Sequence, residues 1–508
     1  MTNASNTNIS KYRYLWLLLL LSAFIGFFGI DKSPLDGDEV VTANIATGFG
    51  FVRNSIHDGF RIYPKTEQTV FSSAEYWQRN QTARTVKYTI DDCGHSLTYN
   101  VLMHYWINET GFSVAALRWP SAILVLLSTL LFYHFIIKTF QDRRVANLST
   151  LFFVLHALVI QISHFARMYA FALVLLLLIM VLCKGLETSV KESRSWHGFW
   201  QALTIGLLAG LAVVTHYFTG LAMAGVFFFY AFQVNRQNLR RAIAIAINIF
   251  LPFAVVLFVY LFPLGAMKSI QSIMALNKAA EDPSQHFFGF EIASFSSVIW
   301  SFLCRITTSF GNSTASEWDT KSIANVCLML FPLLIIGLNL KAAFRKYGKK
   351  DLVFLIWGMV TYIILAAVVI LLTKNMVIMH ARYWIFCLPF SLPLLAVCIS
   401  AGWQERKSVR WIITAAALAV ILLRMSYTLV MYVRDVQSTW NGDPRERMAH
   451  QFILEYKSGD TISYKDWWYS QQENWFLKDY PQFVQRVDTL QSAKIILLSG
   501  GKQHVVSQ

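Results

Sequence analysis

Long apolar stretches recur along most of this 508-residue chain and restrict it to one class of fold. Only 14% of its residues are charged and its mean hydropathy is +0.45, whereas about a quarter of the residues in soluble domains are charged. A helix needs about 20 mostly apolar residues to cross a bilayer. The sequence therefore predicts an all-α polytopic membrane protein with about eleven transmembrane helices, at 14–30, 113–137, 146–163, 169–183, 199–214, 217–234, 242–264, 323–340, 351–373, 384–401 and 411–433.

The net charge of +15 follows from membrane orientation and does not indicate a nucleic-acid partner. Lys and Arg concentrate in short loops on one predicted side, such as 138–144, 236–241 and 341–350. Cytoplasmic loops carry this excess in membrane proteins. We therefore expect the N-terminus in the cytoplasm and the segments 31–112, 265–322 and 434–508 outside. The first apolar stretch has no small-residue cleavage site after it, so we interpret it as a retained anchor.

The domain organisation predicted from these segments is a transmembrane domain, 1–433, followed by an extracytoplasmic domain, 434–508. The first external loop, 31–112, is expected to hold short amphipathic helices at the interface. In the C-terminal segment, Pro444–Tyr456 has a helical pattern and Lys494–Leu498 has that of a buried strand followed by a turn. These features predict a small α/β domain.

The six cysteines do not decide the redox compartment. Cys93 and Cys304 are the two that fall in predicted external loops. A disulfide between them and a pair of free thiols both remain open, because a lone pair of cysteines has no motif spacing.

The placement of the acidic residues argues against a carrier. All 29 Asp and Glu fall in predicted loops or tails. Ion- and proton-coupled transporters usually bury acids near the bilayer midplane. The sequence therefore favours chemistry at the outer face of the membrane.

The acidic segment Asp36-Gly37-Asp38-Glu39 follows directly after the first apolar stretch. A carboxylate at the water edge of a membrane helix is suited to act as a general base. Asp38 and Glu39 are the candidate catalytic residues. Asp31 and Asp36 are interpreted as solvated loop acids or a helix cap.

Three short turns on the predicted outer side share a pattern of His, Tyr and Arg. They contribute the candidate substrate-binding residues Arg167, Tyr169, His216, Tyr217, His380, Arg382 and Tyr383. Arg presents a forked donor that suits phosphate. Tyr and Arg at the ends of spans are also ordinary interfacial anchors. We expect the turns to line one cavity with Asp38; a divalent metal ion remains possible, although no ligand spacing identifies a site.

The order of the motifs resembles the GT-C membrane glycosyltransferases, in the branch of the protein O-mannosyltransferases and the lipid A aminoarabinose transferase. Asp38-Glu39 after the first span is similar to the Asp-Glu motif of that branch. The stretch from Asp92 and His95 to Trp106 resembles its Asp-x-His-Pro-Pro-Leu-Tyr-Tyr segment, and 116–121 its Ala-Leu-Arg-x-Pro-Ser segment. The segments 166–170, 215–218 and 382–389 also follow family patterns.

The resemblance implies an inverting transferase that takes a sugar from a polyprenyl-phosphate donor and adds it to a hydroxyl of a lipid, glycan or protein. The resemblance implies that Asp92 and His95 lie on the acceptor side. Separately, the compact loops and the absence of an endoplasmic reticulum signal lead us to expect a bacterial inner membrane. Two alternatives are a transporter or flippase for a lipid-linked sugar, and an O-antigen polymerase or ligase. The first would be marked by acids within spans or an inverted repeat, and the second by a large late external loop with Arg and His.

Overall fold

Helices occupy each predicted apolar stretch in the computed structural model of this protein. The structure describes residues 4–32, 35–48, 56–57, 60–61, 81–91, 96–111, 113–191, 195–234, 239–268, 270–271, 323–373, 380–403, 409–439, 461–464, 495–499 and 502–506. The predicted helix at 444–456 lies outside these residues, as does nearly all of the predicted second external loop, 265–322. Asp92, Cys93, His95 and Cys304 lie outside them too.

The α-helices in this part of the chain are α1 Ala4–Phe27, α2 Gly37–Ala46, α3 Thr82–Asp91, α4 Leu97–Thr110, α5 Val114–Phe140, α6 Arg143–Val154, α7 Ala157–Ser163, α8 Tyr169–Lys191, α9 Ser195–Thr215, α10 Thr219–Val234, α11 Leu239–Leu261, α12 Ile323–Tyr347, α13 Lys349–Thr373, α14 Leu388–Gly402 and α15 Val409–Thr439. A 3-10 helix, Ala381–Cys387, precedes α14.

Within the described residues, seven helical segments are long and apolar enough to cross a bilayer: Val114–Phe140, Tyr169–Ser189, Trp196–Thr215, Ile243–Leu261, Lys349–Ile370, Ala381–Gly402 and Val409–Arg434. The count rises to eight if the bent pair α6 and α7 forms one span. The helices α1, α10 and α12 match the other three predicted stretches. The prediction of a polytopic helical membrane protein is confirmed.

The predicted span 146–163 is interrupted by a bend of 59° between α6 and α7. His156 caps α7, since its Nδ1 accepts the backbone N–H of Leu158 at 3.1 Å. The side chain is fully buried. The N–H of Leu158 thus bonds to the His156 side chain at the start of α7. This cap accompanies the bend in an apolar stretch that contains neither Pro nor Gly.

Small residues let neighbouring helices approach closely. Gly206 and Gly210 of α9 face α11, where an added Cβ on Gly206 would overlap the carbonyl oxygen of Ile249 and one on Gly210 would lie 2.6 Å from the Cβ of Val256. Glycines at this spacing are a common way to pack membrane helices, because the bilayer gives no hydrophobic force between them. The close contact fixes α11 against α9.

A polar cluster joins the ends of α6, α12 and α14. The Tyr347 hydroxyl donates to Asp142 Oδ2 at 2.8 Å and lies 2.7 Å from Ser400 Oγ. Partial burial opposes ionisation of Asp142. The pKa of this carboxyl is nevertheless lowered. The hydrogen bonds from Tyr347 and from the backbone N–H of Arg144, together with the nearby charge of Lys346, outweigh the effect of burial.

The described part of the segment 31–112, the predicted first external loop, contains three short helices, α2, α3 and α4. His104 of α4 joins them: its Nδ1 lies 2.9 Å from the Ala46 carbonyl oxygen of α2 and its Nε2 2.9 Å from Thr82 Oγ1 of α3. The chain passes from α4 to α5 through Gly111, whose φ of +86° favours glycine. These contacts fix the position of α2.

The chain divides into two compact units. The first comprises Met1–Phe28, Ser121–His164 and Met168–Met431, and the second Gly29–Pro120, Phe165–Arg167 and Tyr432–Gln508. The second unit contains a sheet of strands β1 Ile56–His57, β2 Phe60–Arg61, β3 Thr461–Tyr464, β4 Ile495–Ser499 and β5 Lys502–Val506, in that order. The β3–β4 pair is parallel and the others are antiparallel. Strand β4 coincides with the stretch predicted as a strand, 494–498.

Candidate functional site

The acidic segment forms the first turn of α2 and caps that helix. The Asp38 backbone N–H donates to Asp36 Oδ1 at 2.9 Å, and the Asp36 N–H donates to Glu39 Oε2 at 2.8 Å. This reciprocal pattern is a capping box, which an Asp-x-x-Glu sequence favours. Of the two interpretations of Asp36, the structure supports the helix cap.

Glu39 is held in a fully buried ion pair. Its carboxylate accepts Arg118 Nε at 2.8 Å and Arg118 Nη2 at 2.6 Å, and also the Ala166 backbone N–H at 2.8 Å. Together with the Asp36 N–H, four N–H donors hydrogen-bond to the two carboxylate oxygens of Glu39. Glu39 is 1% exposed and Arg118 2%, while Arg118 Nη1 also donates to the Ile30 carbonyl oxygen. The arrangement joins four segments of the second unit around one carboxylate.

Asp38, the adjacent acid, has a different environment. Its carboxylate Oδ1 lies 3.7 Å from Arg167 Nη2. The Nη1 of the same guanidinium donates to the Asp38 carbonyl oxygen at 3.3 Å and to Thr42 Oγ1 at 3.1 Å. Asp38 is 8% exposed. Arg167 therefore holds the first turn of α2 and places a cation beside the Asp38 carboxylate.

Side chains from the three predicted turns meet in the first unit. The His216 ring lies 5.2 Å from that of Tyr169 and 5.3 Å from that of Tyr383, measured between centroids. Phe218 and Phe386 complete the group, with Phe218 4.8 Å from Tyr383 and Phe386 5.2 Å from His216. We refer to Tyr169, His216, Phe218, Tyr383 and Phe386 as the aromatic cluster.

Arg382 supplies a cation to the edge of the aromatic cluster. Its guanidinium carbon lies 5.7 Å from the Tyr383 ring centroid and 6.0 Å from that of Tyr169. Cations are attracted to ring faces at this distance. The His380 ring is 6.1 Å from Tyr383, and the Tyr362 hydroxyl anchors the 3-10 helix by donating to the Tyr383 carbonyl oxygen at 2.6 Å.

Tyr217 points to a different partner. Its hydroxyl lies 2.7 Å from that of Tyr260, near the end of α11. Tyr217 is 37% exposed, whereas Tyr260 is 2% exposed. The pairing links the turn after α9 to α11, and Tyr260 was not among the residues that the sequence singled out.

Sequence reasoning also missed the role of Arg118. Its type and position place it in the 116–121 motif, but its partner Glu39 is 79 positions away in sequence. A signal was present, because an arginine near the start of an apolar span is costly unless it is paired. Phe218 and Phe386 carried no comparable signal.

No group of three or more His, Cys, Asp and Glu that could bind a metal ion occurs in the described part of the chain. The cysteines Cys183, Cys387 and Cys398 are buried free thiols. Asp92 and His95 are not among the described residues, and their assignment to the acceptor side stays a prediction. So does the expectation that Asp38 shares one cavity with the three turns.

Residues 94–271 match the family described as dolichyl-phosphate-mannose-protein mannosyltransferase. This match covers less than half of the 508 residues. It includes Arg118, Arg167, Tyr169, His216 and Tyr217. The resemblance to GT-C glycosyltransferases that was predicted from the motifs is thereby confirmed. No curated protein matches the chain significantly.

Two solved structures align with most of the chain at low identity. The archaeal oligosaccharyltransferase AglB from Archaeoglobus fulgidus, in complex with an inhibitory peptide and a dolichol-phosphate, is 13% identical with a TM-score of 0.47; the alignment covers 94% of this chain and 64% of AglB. ArnT from Cupriavidus metallidurans, bound to undecaprenyl phosphate, is 12% identical with a TM-score of 0.48, over 94% of this chain and 77% of ArnT. The chain thus spans less than two thirds of the length of AglB.

Proposed function

We propose that this protein is an integral membrane glycosyltransferase of the GT-C type, which transfers a sugar with inversion from a polyprenyl-phosphate donor to a hydroxyl acceptor. The observation that carries the proposal is the Asp38 carboxylate, held by Arg167 in the first turn after the first apolar helix. The family match over residues 94–271 supports the donor class, because dolichyl phosphate is a polyprenyl-type carrier.

Asp38 is the general base of the proposed reaction. It takes the proton of the acceptor hydroxyl while the hydroxyl oxygen attacks the anomeric carbon, and the bond from that carbon to the phosphate oxygen breaks. A single displacement of this kind inverts the configuration. Arg167 orients Asp38 through its contacts with the carboxylate and the carbonyl oxygen of that residue.

Glu39 is a positioning residue in this proposal. Its oxygens already accept four N–H donors, including both from Arg118. Approach to an acceptor hydroxyl would break a buried ion pair, which is costly. Of the two acids that follow the first span, Asp38 is therefore the base.

Arg382, His216, Tyr169 and Tyr383 are assigned to the phosphate of the donor. Phosphate departs with negative charge, and preorganised donors and cations stabilise such charge as it develops. Arg382 beside the two tyrosine rings has the planar, forked guanidinium that suits phosphate oxygens. Tyr217 and His380 flank these residues in sequence and are proposed to shape the donor site.

The membrane arrangement proposed with this function has all eleven apolar helices crossing the bilayer. The Lys and Arg bias supports a cytoplasmic N-terminus and an extracytoplasmic C-terminal domain, 434–508. The compact loops favour a bacterial inner membrane, in which this domain would be periplasmic. The lipid, glycan or protein acceptor would then be used at the outer face.

The decisive experiment compares Asp38→Asn with Asp31→Asn in the purified full-length protein. Asp31 is a matched control because its side chain is 51% exposed beside Lys32. Transfer is measured by mass spectrometry with a panel of polyprenyl-phosphate sugars, with and without chelator. Loss of a general base should lower kcat by about 10²–10⁴-fold, whereas Asp31→Asn should leave transfer unchanged. Full activity of Asp38→Asn would exclude Asp38 as the base, and no transfer by the wild type from any donor would overturn the proposed function.

A further inference from the structure

Thr42 lies one helical turn after Asp38 in α2 and bonds to both members of the Asp38–Arg167 pair. Its hydroxyl Oγ1 donates to the Asp38 carbonyl oxygen at 3.2 Å. The same oxygen accepts the Nη1–H of Arg167 at 3.1 Å. A threonine hydroxyl has one proton and two lone pairs, whereas a guanidinium only donates and a carbonyl oxygen only accepts. The two hydrogen bonds therefore use the hydroxyl in both of its roles, and neither can be reversed.

The Nη1 of Arg167 completes a closed triangle of hydrogen bonds. In addition to Thr42, it donates to the Asp38 carbonyl oxygen at 3.3 Å. Each pair among Nη1, Thr42 Oγ1 and that carbonyl oxygen is thus joined by a hydrogen bond. Because the guanidinium is planar and rigid, two acceptors at one of its nitrogens restrict the direction of the whole group. The group presents Nη2 to the Asp38 carboxylate, with 3.7 Å between Nη2 and Oδ1.

This distance decides how Arg167 acts on Asp38. An N–H···O hydrogen bond is about 2.7–3.2 Å long, so Nη2 lies beside Oδ1 without donating to it. A closer, charge-assisted bond from the guanidinium would compete with the acceptor hydroxyl for the oxygens of the base. The contact of Thr42 with Nη1 therefore keeps the cation near the base and away from bonding distance of Oδ1.

Thr42 itself is more deeply buried than the two residues that it joins. Its exposed fraction is 1%, whereas that of Asp38 is 8% and that of Arg167 is 6%. We propose that Thr42 is a positioning residue of the transfer reaction, which acts through Arg167 and touches neither the donor nor the acceptor. This inference rests on the proposed function. It extends the functional part of α2 by one turn beyond the Asp-Glu motif.

Removal of the Thr42 hydroxyl tests this role. Thr42→Val keeps the shape of the side chain and should lower kcat by about 10–100-fold, the range for loss of one hydrogen bond to a charged group. The KM values of donor and acceptor should stay unchanged, because Thr42 contacts neither. Thr42→Ser keeps the hydroxyl and should restore most of kcat.

Thr47→Val is the matched control for the same chemical change. Thr47 is fully buried, and its Oγ1 donates to the Ala43 carbonyl oxygen, four residues earlier, at 2.8 Å. This bond is of the same kind as that from Thr42 to Asp38. Thr47→Val should therefore leave kcat within about twofold of the wild type.

A second background separates positioning from packing. Arg167→Met has no guanidinium to orient, so Thr42→Val should lower kcat by less than about a further twofold there. A packing role would cost the same factor in both backgrounds. All variants are measured in the purified full-length protein, with the polyprenyl-phosphate sugar that the wild type uses.

The inference is overturned if Thr42→Val keeps full kcat, if Thr42→Ser is as impaired as Thr42→Val, or if Thr47→Val loses as much. Unfolding midpoints identify a variant that fails to fold. Should Arg167→Met do so, the comparison of Thr42→Val, Thr42→Ser and Thr47→Val decides. Full activity of Asp38→Asn, or no transfer by the wild type from any donor, would instead defeat the proposed function, and this inference with it.

Discussion

The buried pair of Arg118 and Glu39 should dominate the stability of the second unit, and a double-mutant cycle can measure it. Arg118→Met removes two N–H donors from a carboxylate that is 1% exposed. The carboxylate then has only the backbone N–H groups of Asp36 and Ala166. Removal of one partner of a buried ion pair costs about 3–5 kcal/mol, so we expect a loss of that size.

The double variant Arg118→Met, Glu39→Met should cost less than the sum of the two single variants. Each single variant leaves an uncompensated buried charge, whereas the double variant leaves none. It still deprives the backbone N–H groups of Asp36 and Ala166 of their acceptor, at about 1–3 kcal/mol each. Adding the losses of the two single variants counts the broken ion pair twice. The coupling energy between Arg118 and Glu39 should therefore be at least about 3 kcal/mol.

Unfolding in SDS-containing mixed micelles, followed by tryptophan fluorescence, provides the assay. Arg13→Met is the matched control, because Arg13 is exposed and bonds only to its neighbour Tyr14 among the contacts described; it should change stability by less than about 0.5 kcal/mol. Arg118→Lys keeps the charge and should fall between the control and Arg118→Met. Equal midpoints for Arg118→Met and Arg13→Met, or additive effects in the cycle, would refute the reasoning.

Two further predictions concern the first unit. Gly206→Ala should lower the free energy of unfolding by about 1–3 kcal/mol through overpacking against α11. Gly337→Ala is the control, because an added Cβ there has no neighbour within 4 Å; it should be neutral or stabilising by up to about 1 kcal/mol. Equal losses for the two variants in unfolding assays would contradict this prediction. Because the folded pKa of Asp142 lies below its ordinary value of 3.8, its ionisation stabilises the protein above about pH 4. Asp142→Asn should thus be less stable than the wild type at pH 7, and the difference should shrink as the pH falls below about 4; a difference that is constant from pH 7 to 3 would exclude this linkage.

Local patterns in the sequence predicted what depends on nearby residues. Hydropathy located the helices, because the bilayer demands a continuous apolar surface from each span. The Asp36-x-x-Glu39 pattern allowed the cap at α2, since both hydrogen bonds close within one turn. The apolar run before Ser499 coincides with β4, because a short continuous apolar run is itself a local signal of a strand.

Features that depend on distant residues were not predictable in this way. Nothing in the first loop indicated that β2 pairs with β3, about 400 positions later in the chain by residue number. The break at His156 lies in a stretch with a normal helical pattern, because a side-chain cap competes with the helix only when the tertiary structure makes room for the bend. The pairing of Glu39 with Arg118 is a contact of the same long-range kind.

Asp38 and Glu39 show why a motif alone could not assign their roles. The two carboxylates are neighbours in sequence, but successive positions on a helix point about 100° apart, so they enter different surroundings. Glu39 accepts four N–H donors and is fixed, whereas the Asp38 carboxylate lies 3.7 Å from the Arg167 guanidinium and Asp38 is the more exposed of the two. Paired acids whose environments differ in this way commonly divide their tasks. The rigid member holds α2, Arg118 and the segment before α8 together, and that frame in turn fixes the position from which Arg167 and Asp38 can act.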